Sequence, residues 1–232
     1  MPRLAIILIA ATLVFAVGIA TATAEEEPEK ILASVQDFYS KVNTLNAHYT
    51  RTTTTPAMEG VFQTAAEHVA TGILQFKKPA KLILNQDAPR PESLITNGST
   101  VWWYIPEEKL VHRYAKVNVY GELQPLLDFL NGLGSLEGKF SVKITPGGQA
   151  PNLNHRLDLT RLEQGGTGPS EITVWVAPDT LLLKGFKLTS LTGETTVFNF
   201  SSVDINQELS DETFNFQVPP GVEVIDEAAD SL

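Results

Sequence analysis

The stretch Gly72-Ile-Leu-Gln-Phe-Lys-Lys-Pro-Ala-Lys-Leu-Ile-Leu84 decides the fold class, because its side chains alternate in polarity on both sides of a central bend. Four large apolar residues fall on the same parity: Leu74, Phe76, Leu82 and Leu84. Alternation with a period of two places such residues on one face of a β-strand. Lys77-Lys78-Pro79 bends the middle, since proline cannot donate a ladder hydrogen bond. The stretch therefore predicts β-structure with one apolar face.

Similar short β-rich segments continue along most of the chain after Thr44. Asn97-Gly98 is a strong hairpin-turn signal, and the β-prone run Thr100-Val-Trp-Trp-Tyr104 follows it at once. Further strands are predicted at 110–120, 140–144, 155–162, 172–177, 181–190 and 194–203. We expect one long antiparallel meander, which must curl or pair because it has too many strands to stay flat.

Two predicted helices interrupt this β-rich pattern. In the stretch 28–43, Ile31, Val35, Phe38 and Val42 follow one another at spacings of four, three and four, which predicts an amphipathic helix with one broad apolar face. The stretch 121–138 is short and apolar and has glycines at its exit, which predicts a second, shorter helix.

The N-terminal residues 1–24 have the layout of a cleavable signal peptide. Arg3 precedes an apolar run from Leu4 to Ala20, and the run closes on the small residues Ala22-Thr23-Ala24. A membrane anchor is the competing interpretation, but the run is at the short limit for spanning a bilayer. We expect cleavage after Ala24, export to the periplasm, and one folded domain over residues 25–232.

The composition narrows the classes of partner and of chemistry. The formal net charge is −10, which argues against nucleic acid and anionic membranes as partners. The chain contains no cysteine, which excludes disulfides, thiolate metal sites and a lipidated N-terminal cysteine. With 43% hydrophobic and 19% charged residues the composition is that of an ordinary globular protein. Without a cysteine to lipidate we expect an unanchored protein, and we also expect a monomer.

Catalytic and metal-binding motifs are missing from the sequence. His48, His68, His112 and His155 stand singly, without the paired spacing of a zinc site. No Gly-x-Ser-x-Gly elbow is present, and the chain has no cysteine for thiol chemistry. We therefore expect no enzymatic activity, no cofactor and no metal ion.

The aromatic run Trp102-Trp103-Tyr104 places large rings on both faces of one predicted strand. At least one ring must then meet something other than an ordinary core, either a cavity wall or exposed patch, or a covering helix.

The helices allow two arrangements of the whole domain. They complete a closed core in one, and in the other they cover a cavity lined by the inward side chains of the strands. The residue pattern alone leaves both open.

Several motifs, taken in order, resemble the outer-membrane lipoprotein carrier family of LolA type. The matching segments lie along nearly all of the chain after the signal peptide: Gly72–Pro79 with Leu82, Leu94–Gly98, Val101–Pro106, Leu181–Leu188, Thr192–Phe198, Asn206 with Leu209, and Phe214–Val224. Each segment alone is weak evidence. Their order, together with the signal peptide, the N-terminal helix and the absence of cysteine, is fairly specific.

The resemblance implies a mainly β fold with helices, in which an unclosed, strongly curved antiparallel β-barrel carries a helical lid over an apolar cavity. It implies a periplasmic carrier that accepts acylated lipoproteins from an inner-membrane ATP-driven release complex. An outer-membrane lipoprotein receptor would then take over the cargo. Burial of acyl chains is worth about 0.8 kcal/mol per methylene, so a large apolar surface can hold lipid without a covalent bond.

The resemblance and the residue pattern together give a candidate site. The expected cargo-binding residues are Leu74, Phe76, Leu82, Leu84, Trp102, Trp103 and Tyr104. The expected lid contacts are Ile31, Val35, Phe38, Leu126, Leu127, Phe129 and Leu130. By family resemblance Lys78 stands where an arginine typically hydrogen-bonds the lid backbone and acts as a latch, and lysine lacks the planar fork of arginine. The alternative is that Lys77 and Lys78 are solvated charges at a bend.

Two other functions remain open from the sequence. One keeps the fold and changes the cargo to another lipid or hydrophobic molecule. The other is an interaction module that senses the state of the envelope through a membrane-protein partner. The tail 226–232 is short and acidic, and we expect it to be disordered.

Overall fold

The computed structural model describes residues 28–56, 66–115, 124–134, 138–147, 153–162 and 168–227. The predicted signal peptide and its cleavage point at Ala24 lie outside the described residues, and the prediction stays untested. Among the helices that the structure describes, none has the length and apolar character needed to cross a bilayer.

The described residues form two α-helices and twelve β-strands. In chain order these are α1 Pro28–Lys41, β1 Thr44–Thr55, β2 Ala66–Lys77, β3 Lys81–Ala88, β4 Glu92–Thr96, β5 Thr100–Ile105, β6 Leu110–Ala115, α2 Gln124–Leu130, β7 Phe140–Thr145, β8 His155–Arg161, β9 Glu171–Val176, β10 Leu183–Thr189, β11 Thr195–Ile205 and β12 Glu223–Glu227. Short 3-10 turns cover Pro106–Glu108 and Asp211–Phe214.

All twelve strands belong to one sheet, in the order β12-β6-β5-β4-β3-β2-β1-β11-β10-β9-β8-β7. The sheet therefore contains two antiparallel meanders, β1–β6 and β7–β11, which join where β1 pairs with β11. This corrects our expectation of a single meander. The reason is the connection that carries α2, because it takes the chain from β6 to β7 at the opposite edge instead of continuing the ladder.

The stretch 72–84 forms the hairpin of β2 and β3, with Leu74 opposite Leu84 and Phe76 opposite Leu82. These pairs place the four predicted residues on one face, as the alternation indicated. Gly72 has no alternative at its position, because the space of a Cβ atom there is occupied by the carbonyl oxygen of Asn85.

One face of the sheet and both helices share a single hydrophobic cluster. The cluster joins inward residues of strands from both meanders, for example Leu74, Phe186 and Phe198, to Val35 of α1 and Phe129 of α2. A sheet can bring side chains from so many strands against two helices only by curving around them. The prediction of a mainly β fold with an open, curved sheet and helices on the concave side is confirmed.

The convex face has its own smaller cluster. Ile83, Ile95 and Phe214 are buried there, and Phe216 packs against them from the segment that leads to β12. Lys77 and Lys81 each contact Asp211 of the same segment, at 2.7 and 2.8 Å. The chain from β11 to β12 therefore crosses the outside of the sheet.

β12 pairs with β6 in parallel, and the guanidinium of Arg113 donates two hydrogen bonds to the Asp226 carboxylate. Our expectation of disorder from residue 226 onward is therefore wrong for Asp226 and Glu227, which belong to this strand. Residues 228–232 lie outside the described part.

Candidate functional site

The concave face holds five of the seven residues predicted to bind cargo. Leu74, Phe76 and Leu82 are fully buried, Leu84 is 7% exposed, and Trp103 packs against the same cluster while half-buried. Leu84, Leu94 and Trp103 follow one another across β3, β4 and β5 in a continuous row. The hairpin geometry of β2–β5 therefore assembles one apolar wall.

Trp102 and Tyr104 lie on the opposite, convex face. Their rings contact Phe216, with centroid distances of 6.3 and 5.4 Å. This corrects our expectation that all three aromatic residues line the concave surface, because neighbouring residues of a strand point to opposite faces. The covering group is the segment before β12 rather than a helix, and we leave both residues out of the proposed site.

The seven predicted lid residues all pack into the concave cluster. Six of them are buried and Phe38 is partly buried, with α1 contributing Ile31, Val35 and Phe38 and α2 contributing Leu126, Leu127, Phe129 and Leu130. In this structure the concave face is therefore filled by the protein's own helices. A ligand of this face would have to replace contacts of the helices.

Tyr39 is a central contact that the sequence analysis did not assign to the site. Its ring is fully buried and lies 4.4 Å from the ring of Phe129, and its hydroxyl donates to the Leu181 carbonyl at 3.1 Å. Burial raises the pKa of the Tyr39 hydroxyl well above its ordinary value. Its position four residues after Val35 is the signal that would have found it.

Lys78 lies in the turn between β2 and β3 and contacts the last turn of α1. Its Nζ donates to the carbonyl oxygens of Tyr39 and Ser40, both at 2.7 Å. Partial burial lowers the pKa of this amine. Carbonyls in the last turn of a helix have no partner within the helix, so the ammonium group also interacts favourably with the negative end of the helix dipole. A lysine therefore makes two backbone contacts here without the fork of an arginine.

Two asparagines, which the sequence analysis gave no role, hold the helices at the same end of the sheet. The Asn131 side chain, just after α2, donates to the Pro79 carbonyl at 2.8 Å. Asn206 accepts from the Asn43 amide at 2.7 Å and donates to the Lys41 carbonyl at 3.4 Å. Polar contacts thus fix the C-terminal ends of both helices to the sheet.

The far end of the apolar wall carries a small polar rim. The indole of Trp103 donates to Glu92 at 3.1 Å and stacks on His112 at a centroid distance of 5.3 Å. His112 in turn contacts Glu227 of β12 at 2.7 Å. Among the residues that the structure describes, no group of three or more His, Cys, Asp or Glu side chains is placed to hold a metal ion.

An open sheet whose apolar concave face is covered by two helices defines the half-barrel class of proteins. Comparison of the sequence with known families gives the particular family. The family described as "Outer membrane lipoprotein carrier protein LolA" matches residues 40–217, which is more than half of the chain. The chain belongs to this family.

Curated relatives are similar over much of their length. The outer-membrane lipoprotein carrier protein of Idiomarina loihiensis is 29% identical over 160 residues, covering 68% of this chain and 72% of the relative. The protein of the same name from Pseudomonas aeruginosa PAO1 is 24% identical over 222 residues, covering 95% and 99%. Among solved structures, an uncharacterized conserved protein from Thermus thermophilus is 8% identical with a TM-score of 0.51, covering 87% of this chain and all of that one. This last similarity concerns the fold alone.

Proposed function

We propose that this protein binds the acyl chains of lipoproteins and carries them between the two membranes of the envelope. Its partners would be an inner-membrane ATP-driven release complex and an outer-membrane lipoprotein receptor. The observation that carries the proposal is the concave apolar face, covered by two helices, in a chain that belongs to a family of lipoprotein carriers. Such carriers act by binding, and we propose no catalytic step for this chain.

The concave wall and the helices supply the two states that a carrier needs. In the empty state α1 and α2 bury the wall and shield it from water. In the loaded state acyl chains replace the helix contacts. The hydrophobic free energy gained by burying the acyl chains offsets the free energy lost when the helices leave the wall. We therefore propose Leu74, Phe76, Leu82, Leu84 and Trp103 as cargo contacts, with the helices as a displaceable lid and Lys78 as its latch.

The test is formation of a soluble complex with a triacylated lipoprotein after removal of detergent. We expect the two proteins to coelute on gel filtration in stoichiometric amounts. The control is the same lipoprotein with its acylated cysteine replaced by serine, which has the same peptide and no acyl chains. An equally stable complex with this control would show recognition of the peptide part and would contradict acyl carriage, as would the absence of any complex.

We also propose that the chain reaches the periplasm after removal of residues 1–24. N-terminal sequencing of the protein from a periplasmic extract should start at Glu25. A start at Met1, with the protein in the membrane fraction, would instead show that the apolar run is retained as an anchor.

A further inference from the structure

A groove runs along one side of α1, with a volume of about 390 Å³. Four positions of α1 line it at spacings of three, one and three, so they form one stripe of the helix, and four residues outside the helix complete it. The lining residues are Ser34, Asp37, Phe38, Lys41, Val42, Leu181, Ile205 and Asn206. α2 lies on the other side of α1, where Gly132 approaches the backbone of Ser40.

The floor of the groove is continuous with the buried concave cluster. Val42 belongs to that cluster, and Phe38, Leu181 and Ile205 pack against it. The rim is polar instead, with the exposed ion pair of Asp37 and Lys41 at 2.6 Å. A groove with an apolar floor and a polar rim fits a long, thin apolar group that carries a polar end. Because the floor is continuous with the core, the apolar end of such a group lies directly against the concave cluster.

The two sides of α1 are fastened by different kinds of contact. Towards the β2–β3 turn, the charged Lys78 donates two hydrogen bonds to the last turn of the helix, and Asn131 fixes the neighbouring end of α2. On the groove side the contacts are neutral: Asn206 bonds the Lys41 carbonyl and the Asn43 amide, and the buried Tyr39 hydroxyl donates to the carbonyl of Leu181, which lines the groove. A chain that passes from the groove floor into the concave cluster must separate Tyr39 from Leu181, which breaks this one neutral bond and keeps the stronger contacts of Lys78 intact.

We propose that this groove is the entry port and first binding subsite for one linear acyl chain, and that the Tyr39–Leu181 hydrogen bond closes it. This inference rests on the proposed function and adds the route by which the chain reaches the concave face. The apolar part of the chain lies along Phe38, Leu181 and Ile205, and its polar end stays at the rim formed by Lys41 and Asn206. The Tyr39 side chain moves away from Leu181, while Lys78 and Asn206 hold the backbone of the last turn.

The test measures binding of cis-parinaric acid, a fluorescent long-chain fatty acid, by stopped flow. Ser34→Trp fills the groove from its exposed edge, and Ala33→Trp is the matched control, since Ala33 is the exposed neighbour of Ser34 and does not line the groove. We expect Ser34→Trp to slow association by about tenfold or more, and Ala33→Trp to stay within about twofold of the wild type.

A second pair of variants tests the Tyr39–Leu181 hydrogen bond. Its result holds even if the tryptophan variants do not fold. Tyr39→Phe removes the hydroxyl and keeps the ring, and we expect association to become about three- to tenfold faster, as for loss of one neutral hydrogen bond. Tyr104→Phe removes a hydroxyl on the convex face and should leave the rate unchanged. Thermal unfolding followed by circular dichroism checks that each variant is folded.

The outcomes separate this inference from the function on which it rests. If the wild type binds no cis-parinaric acid, acyl binding itself is contradicted, and the port with it. If the wild type binds but Ser34→Trp and Ala33→Trp associate at the same rate, the port is overturned and acyl binding stands. An unchanged rate in Tyr39→Phe overturns the role of the Tyr39–Leu181 contact.

Discussion

Lys78 connects the β2–β3 turn to α1 through two hydrogen bonds to helix carbonyls. Replacement by methionine keeps the length of the side chain and removes both bonds. Because hydrogen bonds from a charged group are worth about 1.5–3 kcal/mol each and one of these is solvent-exposed, we expect a loss of about 2 kcal/mol in the free energy of unfolding. Urea unfolding measures this loss, and binding of an apolar fluorescent dye should increase as α1 loosens.

Lys81→Met is the matched control for this prediction. Lys81 lies in the same turn region, but its partner is the exposed Asp211 on the convex face. Loss of such a surface pair changes stability by about 0–1 kcal/mol and should not increase dye binding. Equal losses of stability in both variants, with no change in dye binding, would show that Lys78 does not fasten α1.

The aromatic run 102–104 shows how far single residues can be predicted. Alternation along the strand indicates that Trp103 points to one face of the sheet and that its two neighbours point to the other. It does not indicate which face is concave, because Phe216, which covers Trp102 and Tyr104, lies more than a hundred positions later in the sequence. The spacing of Tyr39 from Val35 indicates its place on the apolar face of α1, but the partner of its hydroxyl could not be predicted, since Leu181 is 142 residues away.

At the scale of elements, the segment between β11 and β12 is held on the convex face by Asp211. Hydrogen bonds from Lys77 and Lys81 lower the pKa of Asp211 from 3.8 to about 2. A carboxyl whose pKa falls on folding stabilises the native state fully above its ordinary pKa, and this contribution is lost as the pH falls through the lowered value. We expect the stability difference between the wild type and Asp211→Asn to be constant above pH 3.8 and to shrink towards pH 2.

Urea unfolding at a series of pH values, with Trp fluorescence as the signal, measures this difference. The comparison needs no further control. The amide of Asp211→Asn does not titrate, and every other acidic group is common to both proteins, so the pH dependence of the difference comes from Asp211. The role of Asp211 in fixing the segment is refuted if the difference is zero at neutral pH. A difference that persists unchanged to pH 2 would refute it as well.

Local elements could be predicted better than their arrangement. The spacing of Ile31, Val35, Phe38 and Val42 gives α1, and the hairpin signal at Asn97-Gly98 gives β4 and β5. The parallel pairing of β12 with β6 has no local signal, because the segment that brings the strands together first crosses the convex face. The division of the strands into two meanders has no local signal either, because it depends on where the connection that carries α2 returns the chain to the sheet.

At the scale of the whole molecule, the two faces of the sheet have different tasks although their cores have the same chemistry. The concave cluster must open for cargo in the proposed function, whereas the convex cluster only stabilises the fold. Phe129 of α2 and Phe214 of the segment before β12 allow a direct comparison, since both are phenylalanines with 0% exposure. Their replacement by alanine removes the same atoms from opposite sides of one sheet.

We expect each Phe→Ala change to reduce the free energy of unfolding by about 3–5 kcal/mol, because each leaves a cavity in a packed core. The effects on cargo should differ. Phe129→Ala weakens the empty, closed state and does not remove a contact from the loaded state, so affinity for a fluorescent fatty acid should rise by about tenfold or more. Phe214→Ala should leave that affinity within about twofold of the wild type.

Equilibrium titration with cis-parinaric acid, at a temperature where both variants are folded, provides this comparison. Loss of stability together with a gain of affinity in Phe129→Ala is the signature of a lid that competes with its cargo. If both variants lose stability and neither gains affinity, α2 is a fixed part of the core, and the acyl chains must bind elsewhere than beneath it. If Phe214→Ala gains affinity equally, the gain reflects general loosening of the fold and the two faces have no separate tasks.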